Sequence, residues 1–161
     1  MKNILMASEK NIEDVVSMRV EMQIEDWKTI FPDMDFSPYA EEFAGITRNH
    51  VLERLNKTIF VAMMYCDDEP VAMCALEELE ELPQITVCMA ENGRRGALAS
   101  VYTKVDHRGN GYQQELVSYI LEFAKKENFN DITLATNTPA AMHIYEKAGF
   151  KRISNKYFLS M

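Results

Sequence analysis

The spacing of apolar residues changes repeatedly along the chain, and each change delimits an element. Asn3–Ala7 reads as a short opening strand. From Asn11 to about Trp27, Ile12, Val15, Val16, Val20 and Ile24 recur at helical intervals, and Pro32 ends the run. Phe31–Pro38 is a loop rich in proline, aspartate and aromatic residues. A second helix over about Tyr39–Asn56 carries Phe43, Ile46, Val51, Leu52 and Leu55 as its apolar set. Thr58–Tyr65 is a buried strand, and the turn Cys66-Asp67-Asp68-Glu69 returns it as the hairpin partner Pro70–Leu76.

Glu77–Arg95 is acidic and weakly patterned and reads mainly as a long connection, with Ile85-Thr86-Val87-Cys88 as a candidate strand extension. Ala97–Val105 is a further strand. A helix follows Gly109-Asn110-Gly111 and runs to about Glu127, with Leu116, Val117, Ile120, Leu121 and Ala124 on one face. Asn128-Phe129-Asn130 breaks it, and Asp131–Thr136 is a strand. Thr138 is placed to cap a helix that has Pro139 at its first position, where a missing N–H costs nothing. That helix covers Ala140–Ala148, Gly149 is its left-handed terminator, and Asn155–Leu159 is a last strand. Helix pair, hairpin, then strand–helix–strand–helix predicts an α/β (α+β) fold with a mixed sheet, in one domain over residues 1–161.

Composition adds limits. The 161 residues are 47% hydrophobic and 26% charged, ordinary for a water-soluble domain. No apolar stretch approaches a membrane span, and the N-terminal one is too short for a signal peptide, so the cytoplasm is expected. Cys66, Cys74 and Cys88 lack metal-ligand spacing, and His50, His107 and His143 are scattered, so no metal site is expected. The net charge of −8 argues against a nucleic-acid surface. Its distribution says more. Residues 1–95 hold 19 acids and 9 bases, a charge of −10, whereas residues 96–161 hold 6 acids and 8 bases, +2.

Two segments carry chemistry. Val105–Gln113 joins a strand to a helix start, and Gly109 and Gly111 allow backbone N–H groups to approach a ligand closely. The helix N-terminus adds partial positive charge and Arg108 a full one, which are the needs of a pyrophosphate. Asn110-Gly111 is also a hairpin signal, but a helical period follows it. The second segment runs from Thr138 to Phe150, with Tyr145 one turn before Gly149. The residues alone leave it open as a core tyrosine or as a phenol that donates a proton.

Together the two segments resemble the GNAT-type N-acetyltransferase superfamily. Its pyrophosphate motif, Gln/Arg-x-x-Gly-x-Gly/Ala, is met by Arg108-Gly109-Asn110-Gly111-Tyr112-Gln113, with Gln113 departing from the usual small residue. Its later motif is met by Thr138, Ala141 and Tyr145-Glu146-Lys147-Ala148-Gly149-Phe150. The resemblance implies a mostly antiparallel sheet with a splayed strand pair and helices on both faces. It implies acetyl-CoA as co-substrate, with Val101 and Thr103 pairing to the pantetheine arm by backbone and Thr138 also on the cofactor side. A backbone N–H near Val101 would then stabilise charge developing on the thioester oxygen. Tyr145 occupies the general-acid position, while no motif marks the base, for which Glu77 and Glu78 are candidates.

The charge asymmetry then points to a cationic amine acceptor, a small molecule or a peptide amine, approached past Asp26, Asp33, Asp35, Glu77 and Glu78. The aromatic residues Trp27, Phe31, Phe36 and Tyr39 mark the same side. A monomer or homodimer is expected, without nucleic acid or membrane partners. A non-catalytic sensor of acetyl-CoA or CoA is the alternative, suggested by Gln113 and the unmarked base.

Overall fold

The computed structural model describes residues 1–80, 85, 88, 93–136 and 138–153. In chain order the elements are β1 (Lys2–Met6), α1 (Ile12–Ile30), α2 (Ala40–Arg54), β2 (Ile59–Cys66), β3 (Glu69–Glu78), β4 (Arg94–Thr103), α3 (Tyr112–Lys126), β5 (Phe129–Thr133) and α4 (Pro139–Lys147). Among the described residues the strands form one sheet in the order β1-β2-β3-β4-β5, antiparallel except for the β4–β5 pair. Thr86 and Val87 of the candidate extension, and all of Asn155–Leu159, lie outside the described residues.

Both faces of the sheet are covered, which explains the unbroken apolar run of β2. Ile59, Val61 and Met63 face α1 and α2, whereas Phe60, Ala62 and Met64 face α3 and α4. On α1 the buried residues are Ile12, Val15, Val16, Met18 and Met22, whereas Val20 and Ile24 are only half-buried. The two methionines, rather than the β-branched pair, continue the seam, because an unbranched side chain fills the irregular space above the sheet. In α2, Val51 is buried but Ile46 and Leu52 are exposed. Among the described residues no helix is long and apolar enough to cross a membrane, and no His, Cys, Asp and Glu cluster could hold a metal ion.

β4 begins at Arg94, ahead of the Ala97 expected from hydrophobicity. Two arginines are tolerated there because each is satisfied. Arg94 makes paired hydrogen bonds with Glu78 at 3.0 and 2.9 Å and lies 4.3 Å from the Phe129 ring centre. Arg95, 8% exposed, donates from Nε to both Asp131 oxygens at 2.9 and 3.1 Å. These contacts clamp β4 to β5 at one end. β5 correspondingly runs Phe129–Thr133 instead of Asp131–Thr136, with Phe129 packed edge-on against Phe60.

Candidate active site

The β4–β5 register ends at Ala97↔Thr133, and β4 continues to Thr103 without a β5 partner. The two strands therefore fork, leaving the backbone edge of Leu98–Thr103 without a strand partner on that side among the described residues. Within this stretch β4 is bulged. Between the pairs Met73↔Tyr102 and Ala75↔Ala99, the single residue Cys74 faces both Ser100 and Val101. Ser100 takes φ 49°, a left-handed conformation costly for a residue with a Cβ. The extra residue resets the alternation, so Tyr102 packs on the α1/α2 side and Val101 on the α3/α4 side.

At its end β4 runs into the glycine turn. Gly109 and Gly111 have φ 80° and 76°, and a Cβ added at either would meet nothing within 4 Å. Both therefore present backbone to open space, and Gly111 caps α3, whose first amides lack intrahelical partners. The Lys104 N–H donates to Val71 O at 3.0 Å, and the trans peptide then turns Thr103 C=O away from β3. That carbonyl accepts from Arg108 Nε at 3.0 Å, while Arg108 Nη2 holds both Glu25 oxygens at 2.6 and 2.7 Å. The arginine read as free positive charge is thus paired with α1. Gln113 donates from Nε2 to Thr103 Oγ1 at 2.8 Å and to Met73 O at 3.4 Å. Its Oε1 is a buried acceptor with no hydrogen-bond partner among the described residues.

Tyr145 packs on the α3/α4 face of the sheet. Gly149, at φ 97°, reverses the chain so that Phe150 N bonds to Tyr145 O at 3.0 Å and the Phe150 ring packs against the phenol ring at 5.9 Å. The motif's glycine and phenylalanine therefore fix the tyrosine ring. Tyr145 is 7% exposed, and burial, aided by the field of Cys74, pushes its phenol up to about 12. Cys74 is also the residue facing the bulge, and Cys74, Val101 and Tyr145 pack in one cluster on the α3/α4 face of the sheet. The Tyr145 hydroxyl has no hydrogen bond among the described residues. Thr138 holds the N-cap position of α4 but its hydroxyl makes no capping bond, since Pro139 at the first position already sets the helix start.

The two base candidates separate. Glu78 is taken up by Arg94. Glu77 stands opposite Ala97, the last residue before the fork, and lines a cavity of about 300 Å³ between the sheet and the α1–α2 pair. Val15, Arg19, Phe43, His50 and Ser100 line it too. Asp33 and Asp35 are exposed in the loop after α1, and Asp35 accepts a hydrogen bond from Ser37 N at 3.0 Å. Trp27 and Phe31 stack at 5.8 Å, with Tyr39 exposed nearby in sequence. Arg19, Glu25 and Ser100 were missed by sequence reading. Arg19 had a signal, being a charge at helical spacing on the apolar face of α1 beside Val15 and Val16.

The sequence model of the acetyltransferase (GNAT) family matches residues 20–150, a span that includes the forked strand, the glycine turn and Tyr145. The chain belongs to that family. The family is one of acetyltransferases. N-acetyltransferase 8B of Mus musculus is 39% identical over 57 residues, 34% of this chain and 24% of that protein. N-acetyltransferase 8 of Homo sapiens is 30% identical over 67 residues, 40% of this chain and 30% of that protein. The matches thus span less than a third of these relatives' length. A Clostridium acetobutylicum protein described as a predicted acetyltransferase, crystallised with acetyl-CoA, superposes with TM-score 0.75 at 24% identity, covering 99% of this chain and 96% of that one. A GCN5-related N-acetyltransferase from Ralstonia eutropha superposes with TM-score 0.77 at 18% identity, covering 99% of both chains. At such identities the GNAT acetyltransferase structures establish the fold.

Proposed function

We propose that this GNAT domain transfers acetyl from acetyl-CoA directly to an amine that enters from the α1/α2 side as an ammonium ion. The observation that carries this reading is the fork: β4 leaves β5 at Ala97 and delivers a bare backbone edge to a glycine turn at a helix N-terminus. These features fit the donor. The turn and the first amides of α3 would hold a pyrophosphate, the β4 edge at Val101 would pair with an amide-bearing arm, Thr103 could join only once Arg108 releases its carbonyl, and the orphaned Gln113 Oε1 offers that arm an acceptor.

When bound, the co-substrate supplies an acetyl group already activated as a thioester. Glu77, at the fork on the acceptor side, takes the proton that an amine must lose, directly or through water. The backbone around the Ser100–Val101 bulge donates toward the charge that develops on the carbonyl oxygen. Tyr145 is a phenol, protonated at neutral pH, and burial holds it above its ordinary value, so it acts as the donor to the departing sulfur and not as a base. Glu78 has no part in this scheme, being held by Arg94.

Calorimetric titration of acetyl-CoA into wild type and Gly111→Val tests the donor site. The side chain meets open space but is strained at φ 76°, so circular dichroism first confirms that the variant folds, and the close backbone approach is then blocked. Affinity should fall at least about tenfold, the counterpart of roughly 1.4 kcal/mol. Equal affinity would remove the turn from the donor site.

A further inference from the structure

The acceptor cavity contains a charge that a simple cationic acceptor does not explain. Arg19 projects from α1 into the space above β3 and lines the cavity with Glu77. It is half-buried, and among the described residues it makes no hydrogen bond and no ion pair. The fields of Glu77 and Asp26 reach it without either closing on it, and burial, the larger effect, holds its guanidinium below the ordinary arginine value. A guanidinium stays charged in proteins and carries five N–H donors in a planar fork. Leaving such a group partly desolvated and unpaired is costly unless an anion completes it.

We propose that the cavity is built for an amine that also bears a carboxylate and an apolar side chain, an apolar α-amino acid, with Arg19 holding the carboxylate and Glu77 facing the ammonium. This rests on the amine-acetylation reading above and narrows its acceptor. A polyamine would place positive charge against Arg19, and a plain carboxylic acid would place negative charge against Glu77. A zwitterion satisfies both. Val15, Phe43 and Ile46 supply apolar wall for the side chain. The volume of about 300 Å³ lies at the small end of ligand pockets, roughly 300–1,000 Å³, which suits one small molecule. Ser100 of the β4 bulge also lines the cavity, so an amine held there is beside the forked edge where transfer is proposed.

The test compares three matched series, L-leucine, L-methionine and L-phenylalanine with their amides and with the amines left by removing the carboxyl group. kcat/KM is read by thiol release and product mass, and equilibrium binding is read by calorimetry on CoA-saturated protein. At least one free amino acid should exceed its amide and its decarboxylated amine by about tenfold or more, as a charge-assisted hydrogen bond implies. Arg19→Met should erase that preference mainly through KM and in the binding measurement, and Arg19→Lys should restore part of it. Amides or decarboxylated amines performing as well as the acids, or an unchanged preference in Arg19→Met, would overturn the carboxylate site while leaving amine acetylation standing. No acetylated product from any series, with acetyl-CoA bound, would remove both readings.

Discussion

Arg108 of the glycine turn and Glu25 of α1, 83 residues apart in sequence, are joined by contacts of 2.6 and 2.7 Å from one guanidinium nitrogen to both carboxylate oxygens. The pair links the glycine turn to the helix that walls the cavity of about 300 Å³. On the proposed donor site, an incoming pyrophosphate would compete with Glu25 for the arginine. Both side chains are substantially exposed, at 45% and 39%, and such pairs are worth about 0–1 kcal/mol. Glu25→Gln should therefore tighten acetyl-CoA binding modestly, by about two- to fivefold at low salt, with the gain shrinking at high salt. Calorimetry at two ionic strengths checks this. Weaker binding in the variant would show that Glu25 instead holds Arg108 in its working position.

Gly96, paired with Ile132, sits one residue before Ala97, the last paired residue of the fork. A Cβ there would lie 2.7 Å from Leu76 Cδ1 and 3.1 Å from Phe129 Cδ1. Gly96→Ala should cost about 1–3 kcal/mol through overpacking, and it should open the fork further back along β4. Denaturant unfolding with an unchanged slope measures the loss. Wild-type stability would show that Leu76 and Phe129 yield freely.

Removing the Tyr145 hydroxyl should separate chemistry from stability. Tyr145→Phe deletes a buried, unpartnered O–H, so the melting temperature should hold or rise slightly. Turnover should fall about 100- to 10,000-fold, the usual share of general acid catalysis, with acetyl-CoA affinity nearly unchanged. Rapid-quench measurement of the chemical step decides it. An unaltered step would leave Tyr145 with packing alone.

Alkaline pH should unfold the protein cooperatively. Burial raises Tyr102, Tyr145 and Cys74 to about 12, from 10.0 for the phenols and 9.0 for the thiol. Their folded forms keep protons that the unfolded chain has released, so their stabilisation is whole below about pH 9 and declines toward pH 12. Their combined loss draws on a total stability of roughly 5–15 kcal/mol. Phenol absorbance and circular dichroism should change together in that interval. Tyr102 or Tyr145 titrating near 10 with the fold intact would contradict the shifts.

Much of the architecture was legible because periodicity and punctuation agree. Gly109, Gly111, Pro139 and Gly149 mark element ends by backbone geometry, and the fold and both motifs follow from them. The starts of β4 and β5 were not, because Arg94 and Arg95 read as solvated charges until Glu78 and Asp131 are seen opposite them. The acceptor side was the least legible. Charge count favoured a cationic ligand, but a sum over residues 1–95 does not record that Arg19 faces inward while Asp33 and Asp35 face out. The bulge at Ser100 was invisible too, since nothing in Ala-Ser-Val-Tyr announces an extra residue until the register with Cys74 is known.

The central claim is tested most directly by following CoA release from acetyl-CoA with and without an amine, while weighing the amine product. Cationic, neutral and zwitterionic amines should all be included. Wild type should release CoA in an amine-dependent manner, matched mole for mole by acetylated product, and Gly111→Val should lose both. Tight acetyl-CoA binding with no amine-dependent release and no acetylated product from any class would contradict transfer and leave a CoA-binding sensor.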